Sequence, residues 1–98
     1  MITRIVRLTI QEDHANDFRL LFESTYNAIR SFQGCSHLAL YTDSGKPNVF
    51  ITFSKWESEQ DLDNYRQSEL FIKTWASVKV MFQEAPIEFS MKEVYPKS

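Results

Sequence analysis

The sequence predicts an α+β domain in the ferredoxin-like order β-α-β-β-α-β, with an antiparallel sheet that carries its helices on one face. Three patterns predict this fold: segments in which apolar residues alternate with polar ones, one long segment with apolar residues at helical spacing, and a later helical segment with capping serines. Because a chain of 98 residues buries too little surface for two cores, we expect a single domain over residues 1–98.

The first half of the chain predicts a strand, a helix and a turn into a second strand. Residues Thr3–Ile10 alternate with period two, which is typical of a strand. From Asp13 to about Phe32 the spacing is helical, through an apolar set made of Phe18, Leu21, Phe22, Thr25, Ile29 and Phe32. The Gln33–Gly34 pair suits the left-handed backbone that closes a helix, and a strand over His37–Thr42 is predicted to follow.

The second half predicts a hairpin, a broken helix and a last strand. The turn-forming segment Asp43–Asn48 joins the second strand to an apolar and β-branched run over Val49–Trp56. Ser58 and Ser68 are each suited to cap a helix, which predicts two short helices or one helix with a break. Alternation beyond the proline at position 86 predicts a final strand over Ile87–Val94.

Composition and charge exclude several classes of protein. A formal net charge of −2, with Lys and Arg scattered along the chain, offers no basic stripe for nucleic acid. The one cysteine, Cys35, cannot form an intramolecular disulfide. The N-terminal segment has neither the apolar stretch of a signal peptide nor the length of a membrane span. We therefore expect a cytoplasmic protein with no nucleic-acid or membrane partner.

Bound cofactors are not indicated by the sequence. Two histidines and one cysteine cannot supply a zinc site with the usual ligand spacings. The chain has two glycines, Gly34 and Gly45, which are too few and too far apart for a phosphate-binding loop. We therefore predict no metal and no nucleotide cofactor.

The predicted strands are apolar on both faces, although two helical segments can cover only one face of a sheet. The run Val49–Trp56 has large apolar residues at both odd and even positions. A second copy packed on the uncovered face would give a two-fold homodimer with an α/β-barrel between the subunits. The alternative is a monomer that tolerates Tyr41, Phe50 and Thr52 on a solvated face.

Two local patterns carry a resemblance to a known family. The segment Phe32–Cys35 has the sequence Phe-Gln-Gly-Cys, and Phe50 is followed six residues later by Trp56 and then by a helical segment with Ser-Glu-Leu-Phe at Ser68–Phe71. With the element order, these patterns make the chain similar, over about Ile2–Val94, to the antibiotic biosynthesis monooxygenase (ABM) domain family. The resemblance implies a dimeric α/β-barrel with a cavity between the sheet and the helices of each subunit. Where the family commonly has Pro-Gly-Cys, this chain replaces the proline with glutamine.

The resemblance implies more than one activity. Some members oxygenate electron-rich aromatic polyketides or quinols without metal or flavin, and others degrade haem or handle small signalling molecules. Many members carry two histidines in the helix after the tryptophan, where this chain has Tyr65 and Leu70. The haem-degrading branch resembles this chain less, because its first-strand asparagine and axial histidine correspond to Val6 and Trp75. Haem degradation is therefore disfavoured.

The candidate substrate-binding residues are aromatic side chains near the predicted junction of sheet and helices: Trp56, Tyr65, Phe22, Phe71 and Trp75. Trp56 could stack on a planar substrate or anchor the core, and the Tyr65 hydroxyl could bind a phenolate oxygen or lie in water. His37 is the candidate general base because imidazole titrates near neutral pH, although a residue just after a turn is often exposed. Tyr65 and His37 are the two candidate catalytic residues.

The sequence supports three hypotheses on function. The first, favoured by the resemblance, is a cofactor-independent monooxygenase that acts on a small electron-rich aromatic such as a quinol or a polycyclic phenol. The second, favoured by the missing helix histidines, is a non-catalytic dimer that binds a small apolar metabolite. The third is a structural or interaction domain in which Phe22, Phe71 and Trp75 fill the interior and leave no cavity beside Trp56.

Overall fold

The chain folds into one sheet with helices packed on a single face. The computed structural model describes residues 1–96, with β1 (Ile2–Thr9), a 3-10 helix (Glu12–His14), α1 (Ala15–Arg30), β2 (Cys35–Asp43), β3 (Lys46–Trp56), α2 (Glu59–Arg66), α3 (Glu69–Lys79) and β4 (Ile87–Met91). All neighbouring strands are antiparallel, in the order β2-β3-β1-β4. This confirms the predicted α+β ferredoxin-like fold. Positions 97 and 98 of the predicted domain lie outside the described residues.

Backbone hydrogen bonds place several element boundaries away from the predicted ones. The predicted helix start at Asp13 forms a 3-10 turn, and α1 ends at Arg30, before the predicted end at Phe32. Ser31 caps it, because its N–H bonds the Asn27 carbonyl at 3.0 Å. Strand pairing extends β2 and β3 towards each other, so the turn between them is shorter than predicted. β4 ends at Met91, before the predicted end at Val94, because its pairing with β1 stops there.

Gly34 lies in the turn behind α1 and has a positive φ of 86°. Its carbonyl accepts a hydrogen bond from the Glu57 N–H at 2.9 Å, which ties the turn to the end of β3. A Cβ at this position would overlap the side chain of Asp61. The left-handed backbone predicted for Gly34 is confirmed, although this residue follows the helix end and does not cap it directly.

Gly34→Ala is expected to lower the free energy of unfolding by about 1–3 kcal/mol, because the new Cβ would meet both an unfavourable φ and Asp61. Urea unfolding of the two proteins measures the difference. Gly45→Ala is the matched control, since a Cβ at Gly45 makes only an ordinary contact with Asp43. Equal losses in the two variants would contradict the account of Gly34.

Ser58 and Ser68 divide the second helical region into α2 and α3. The Ser58 Oγ accepts a hydrogen bond from the Asp61 N–H, and the Ser68 Oγ accepts one from the Phe71 N–H, each at 3.1 Å. These bonds satisfy N–H groups that a helix start otherwise leaves without partners. The prediction of two short helices is confirmed. Among residues 1–96, no helix is both long enough and apolar enough to cross a membrane.

The helix-covered face of the sheet is formed by the even-numbered residues of β1 and β3. The register pairs Ile2 with Trp56 and Leu8 with Phe50, and these four side chains are buried. Phe50 is only 1% exposed, and Thr52 shares its face of β3. The alternative that placed Phe50 and Thr52 on a solvated face is therefore wrong, because residues of even number in β3 point towards the helices.

The opposite face of the sheet, called the open face here, carries the odd-numbered residues of β1, β3 and β4. The register places Ala39, Phe53, Ile5 and Phe89 side by side across all four strands. Four large apolar side chains remain exposed on this face: Tyr41 at 54%, Ile87 at 54%, Phe89 at 47% and Met91 at 41%. An apolar surface that spans a whole sheet is typical of a protein interface.

Candidate functional site

A partly open cavity of about 110 Å³ lies between the sheet and the three helices. Its walls include residues of β1, β3, α1, α2 and α3, with Trp56 among them. The helical stripe predicted from the sequence supplies the α1 side of the wall: Phe18, Leu21, Phe22, Thr25 and Ile29. The cavity beside Trp56 weighs against a purely structural domain with a filled interior.

Aromatic rings form a continuous wall along one side of the cavity. Tyr65 stacks on Trp56 with ring centroids 4.9 Å apart, and Phe71 meets the Tyr65 ring edge-on at 5.2 Å. Trp75 then stacks on Phe71 at 5.8 Å with the ring planes 9° apart. Phe22 also lines the cavity. The structure thus brings together all five candidate substrate-binding residues, and their role in binding a substrate stays a prediction.

Trp56 belongs both to the core and to the cavity wall. Its side chain is 1% exposed, and its Nε1–H donates a hydrogen bond to the Ser54 Oγ at 3.0 Å. Phe32 meets the indole edge-on at 6.4 Å from the side of α1. The two alternatives for Trp56, a core anchor and a surface for stacking, therefore describe the same side chain. A buried and hydrogen-bonded indole offers a ligand a rigid surface.

Tyr65 is held in its protonated form. Burial of the hydroxyl raises the pKa of Tyr65 to about 12, and the negative charge that the nearby Cys35 side chain carries when it is ionised adds to the rise. The ring packs between Trp56 and Phe71. At neutral pH the phenol can therefore donate a hydrogen bond to a ligand and does not act as a base.

Between pH 10 and about 12, the native chain is expected to lose stability through Tyr65. The folded pKa lies above the unfolded value, so the folded protein holds the proton longer and the free energy of unfolding falls as pH rises through this window. Two pKa units correspond to about 2–3 kcal/mol. Urea unfolding of the native chain and Tyr65→Phe, below and within this window, measures the effect. A parallel decline in both proteins would contradict it.

His37 lies on the open face of the sheet and not in the cavity. Its strand partner is Lys55, and its ring meets the Phe53 ring edge-on at 5.6 Å. The side chain is exposed, which is the alternative that the sequence left open. As the base for a ligand in the cavity, His37 is misplaced, because the sheet separates the imidazole from the cavity.

Sequence reasoning missed a charged group at one end of the cavity. The Nη2 atoms of Arg4 and Arg66 lie 3.1 Å and 3.6 Å from the same Oε1 of Glu88. Arg4 also donates a hydrogen bond through Nη1 to the Ser90 Oγ at 3.2 Å. The strand pattern does indicate that Arg4 points towards the cavity, because this residue has the same parity as the apolar residues of β1 that face the helices.

Comparison with solved structures identifies the same fold in other proteins. A crystal structure titled as an antibiotic biosynthesis monooxygenase is 18% identical, with a TM-score of 0.90 over 96% of this chain and 99% of that one. Rv0793 from Mycobacterium tuberculosis is 20% identical, with a TM-score of 0.89 over 99% and 98% of the two chains. A conserved protein from Methanosarcina mazei Go1 is 16% identical, with a TM-score of 0.88 over 95% and 93%. At these identities the likeness shows the fold alone.

Comparison with curated proteins finds no match. The family model described as antibiotic biosynthesis monooxygenase matches residues 1–76. The matched range runs from β1 into α3, so it contains the Phe32–Cys35 segment, Trp56 and the Ser68–Phe71 segment. The chain belongs to the antibiotic biosynthesis monooxygenase family.

Proposed function

We propose that the protein is a homodimeric, cofactor-independent monooxygenase that acts on a small electron-rich aromatic, specifically a quinol of one or two rings. The observation that carries the proposal is the cavity beside Trp56, whose wall is a continuous row of aromatic rings. Such a wall binds a flat ring by stacking and removes water from around it. Membership of the family supplies the class of reaction.

The size of the cavity narrows the substrate class. An engineered protein cavity of about 150 Å³ accommodates benzene, whereas this one has a volume of about 110 Å³ and an opening to solvent. The enclosed space therefore has room for one ring at most, and any further part of a ligand would have to extend into the opening. A quinol is therefore favoured over the larger polycyclic phenols that the sequence left open.

The proposed reaction balances without a further reductant. One oxygen atom of dioxygen enters a ring C–H bond and forms a hydroxyl group, while the two hydroxyl hydrogens of the quinol leave with the second oxygen atom as water. The product is a hydroxyquinone, and the quinol supplies all four electrons. The protein contributes positioning and removal of water. The protonated Tyr65 hydroxyl can donate a hydrogen bond to a quinol oxygen.

Dioxygen uptake with a panel of quinols tests the proposal. The purified chain is expected to consume dioxygen in a saturable manner, above the rate of buffer with the same quinol. Removing the cavity wall through Phe71→Ala should raise the apparent KM. Uptake equal to that of buffer for every quinol would overturn the proposal.

A non-catalytic binding protein is the second candidate function. One observation favours it: the residues that line the cavity include no histidine, and the tyrosine among them is protonated at neutral pH. The mark of this function would be an increase in Tm with quinols or their analogues and no turnover. Haem degradation stays disfavoured, because Val6 and Trp75 both line the cavity and neither side chain ligates iron.

The open face supports the homodimer in this proposal. Two such faces can cover each other, which removes the four exposed side chains from water and forms a barrel between the two sheets. The face is self-complementary in composition, as a two-fold interface requires. Arg7 and Lys55 also lie on it, at positions set by the register. In a dimer their charged ends would have to reach the rim.

A further inference from the structure

One end of the cavity carries charged side chains, and these can favour a ligand of one charge over another, which the aromatic wall cannot do. Arg4, Arg66 and Glu88 are the three charged side chains among the residues that line the cavity. Two positive charges therefore face one negative charge, which leaves an excess of one positive charge. The remaining lining is apolar, aromatic or hydroxyl-bearing. Because the Arg4 side chain is largely buried, its charge acts more strongly than it would in water, whereas solvent partly screens the charges of Arg66 and Glu88.

The geometry of the group leaves hydrogen-bond donors free for a ligand. Both guanidiniums approach the same oxygen of Glu88, Oε1. The Arg4 side chain is only 13% exposed and is further held by Ser90, so its position is fixed by the sheet. Arg66 is 43% exposed and sits 3.6 Å from Glu88, a distance that leaves its planar fork open to a stronger partner.

We propose that Arg4 and Arg66 bind the anionic oxygen of an aromatic ligand, so that the cavity selects aromatic monoanions over neutral rings of the same shape. The ring then lies against Trp56 and Tyr65, with its charged group at the guanidiniums. Glu88 is a positioning residue that holds the two arginines while the cavity is empty. The anion site rests on the proposed function in one respect, the identity of the natural ligand. If the substrate is a quinol, the monoanion that binds is the ionised quinol.

The selection of an anion has a consequence for the chemistry. An ionised quinol is a stronger electron donor to dioxygen than the neutral quinol, and two guanidiniums beside its oxygen stabilise the ionised form. The phenolic proton passes to water at the opening, where the side chains of Glu88 and Arg66 are 40% and 43% exposed. The arginines therefore favour the ionised form of the substrate, a role for which the sequence suggested His37.

Two ligand pairs that dioxygen does not oxidise test the preference. The first pair is 4-nitrobenzoate and 4-nitrobenzamide, which share a ring and differ in charge. By calorimetric titration, the carboxylate is expected to bind at least ~10-fold more tightly, as charge-assisted hydrogen bonds to guanidinium require. Equal affinity for the two, or binding of neither, would overturn the proposal.

The second pair is 4-nitrophenol and 4-nitroanisole, of which only the phenol can ionise. Below the phenol's own pKa in water, binding is expected to increase the absorbance of its phenolate band. An increase shows that the site accepts a phenolate. A preference for the carboxylate with no phenolate band would restrict the ligand to aromatic carboxylates, which would overturn the assignment of an ionised quinol.

Variants separate a direct role of the arginines from a structural one. Arg66→Gln is expected to reduce the preference for 4-nitrobenzoate to below about threefold and to abolish the phenolate band, whereas Arg66→Lys restores part of both. Glu88→Gln should tighten binding of the carboxylate, because it removes the competing negative charge. Lys73→Gln is the control, since Lys73 pairs with Glu69 on the exposed side of α3. An unchanged preference in both Arg66→Gln and Arg4→Gln would contradict the proposal.

These measurements test the anion site independently of the monooxygenase proposal. None of the four ligands is a substrate, so a preference for anions can be found in a protein that consumes no dioxygen with quinols. In that case the monooxygenase proposal fails and the anion site stands. If the protein turned over quinols but showed no preference for 4-nitrobenzoate, the monooxygenase proposal would stand and the anion site would be overturned.

Discussion

Phe89→Asp is expected to yield a folded monomer at micromolar concentration, whereas the native chain is expected to sediment as a dimer. Phe89 lies on β4, next to Ile5 in the register, and is 47% exposed on the open face. In a face-to-face dimer its ring would be buried against the partner. A carboxylate there would lose its hydration on association, which costs several kcal/mol of association free energy. Sedimentation velocity gives the mass directly.

Leu20→Asp is the matched control for this variant. Leu20 is also an exposed apolar residue, at 57%, but it lies on α1 on the other side of the molecule from the open face. This variant is expected to remain a dimer. Circular dichroism of both variants checks that each is folded. A native chain with the mass of one subunit, or dimers of equal affinity in both variants, would contradict the assignment of the interface.

Trp56→Ala is expected to lower the free energy of unfolding by about 3–5 kcal/mol, a large share of the stability of a small domain. The indole is the largest of the fully buried side chains, and its loss would remove the ring on which Tyr65 stacks and that Phe32 meets edge-on. The Ser54 hydroxyl would also lose the hydrogen bond that it accepts. Urea unfolding measures the loss.

Trp56→Phe separates the aromatic packing from the hydrogen bond. It keeps a ring against Tyr65 but removes the Nε1–H donor to Ser54. A smaller loss than in Trp56→Ala is therefore expected, and ligand binding in the cavity should be retained in part. If Trp56→Ala lost less than about 1 kcal/mol, the indole would not be the anchor described above.

The fold could be predicted from the sequence because local patterns and global architecture agree. Alternation identified the strands, and Ser58 and Ser68 marked helix starts that the side-chain hydrogen bonds confirm. Gly34 marked a left-handed turn for the same local reason. Element ends were less predictable, because strand pairing extends β2 and β3 into a segment whose composition indicated a turn.

The site was predictable only where side chains are apolar. The five aromatic candidates all line the cavity, because large apolar residues near the sheet and helices must share the same interior. His37 was misplaced because a strand pattern does not say which parity faces the helices when both are apolar. The pairing of Arg4 with Glu88 joins the first and last strands, and no sequence spacing predicts a contact over that separation.

Monooxygenase activity is tested most directly by a reaction of the purified chain with a one-ring quinol under isotopically labelled dioxygen. Mass spectrometry then identifies the product. A hydroxyquinone that carries one labelled oxygen atom is expected, with the second labelled atom in water and one dioxygen consumed per quinol. The monooxygenase proposal would be contradicted if the chain bound the quinol but the product were an unlabelled quinone, formed at the rate of buffer alone. The protein would then be a binding protein.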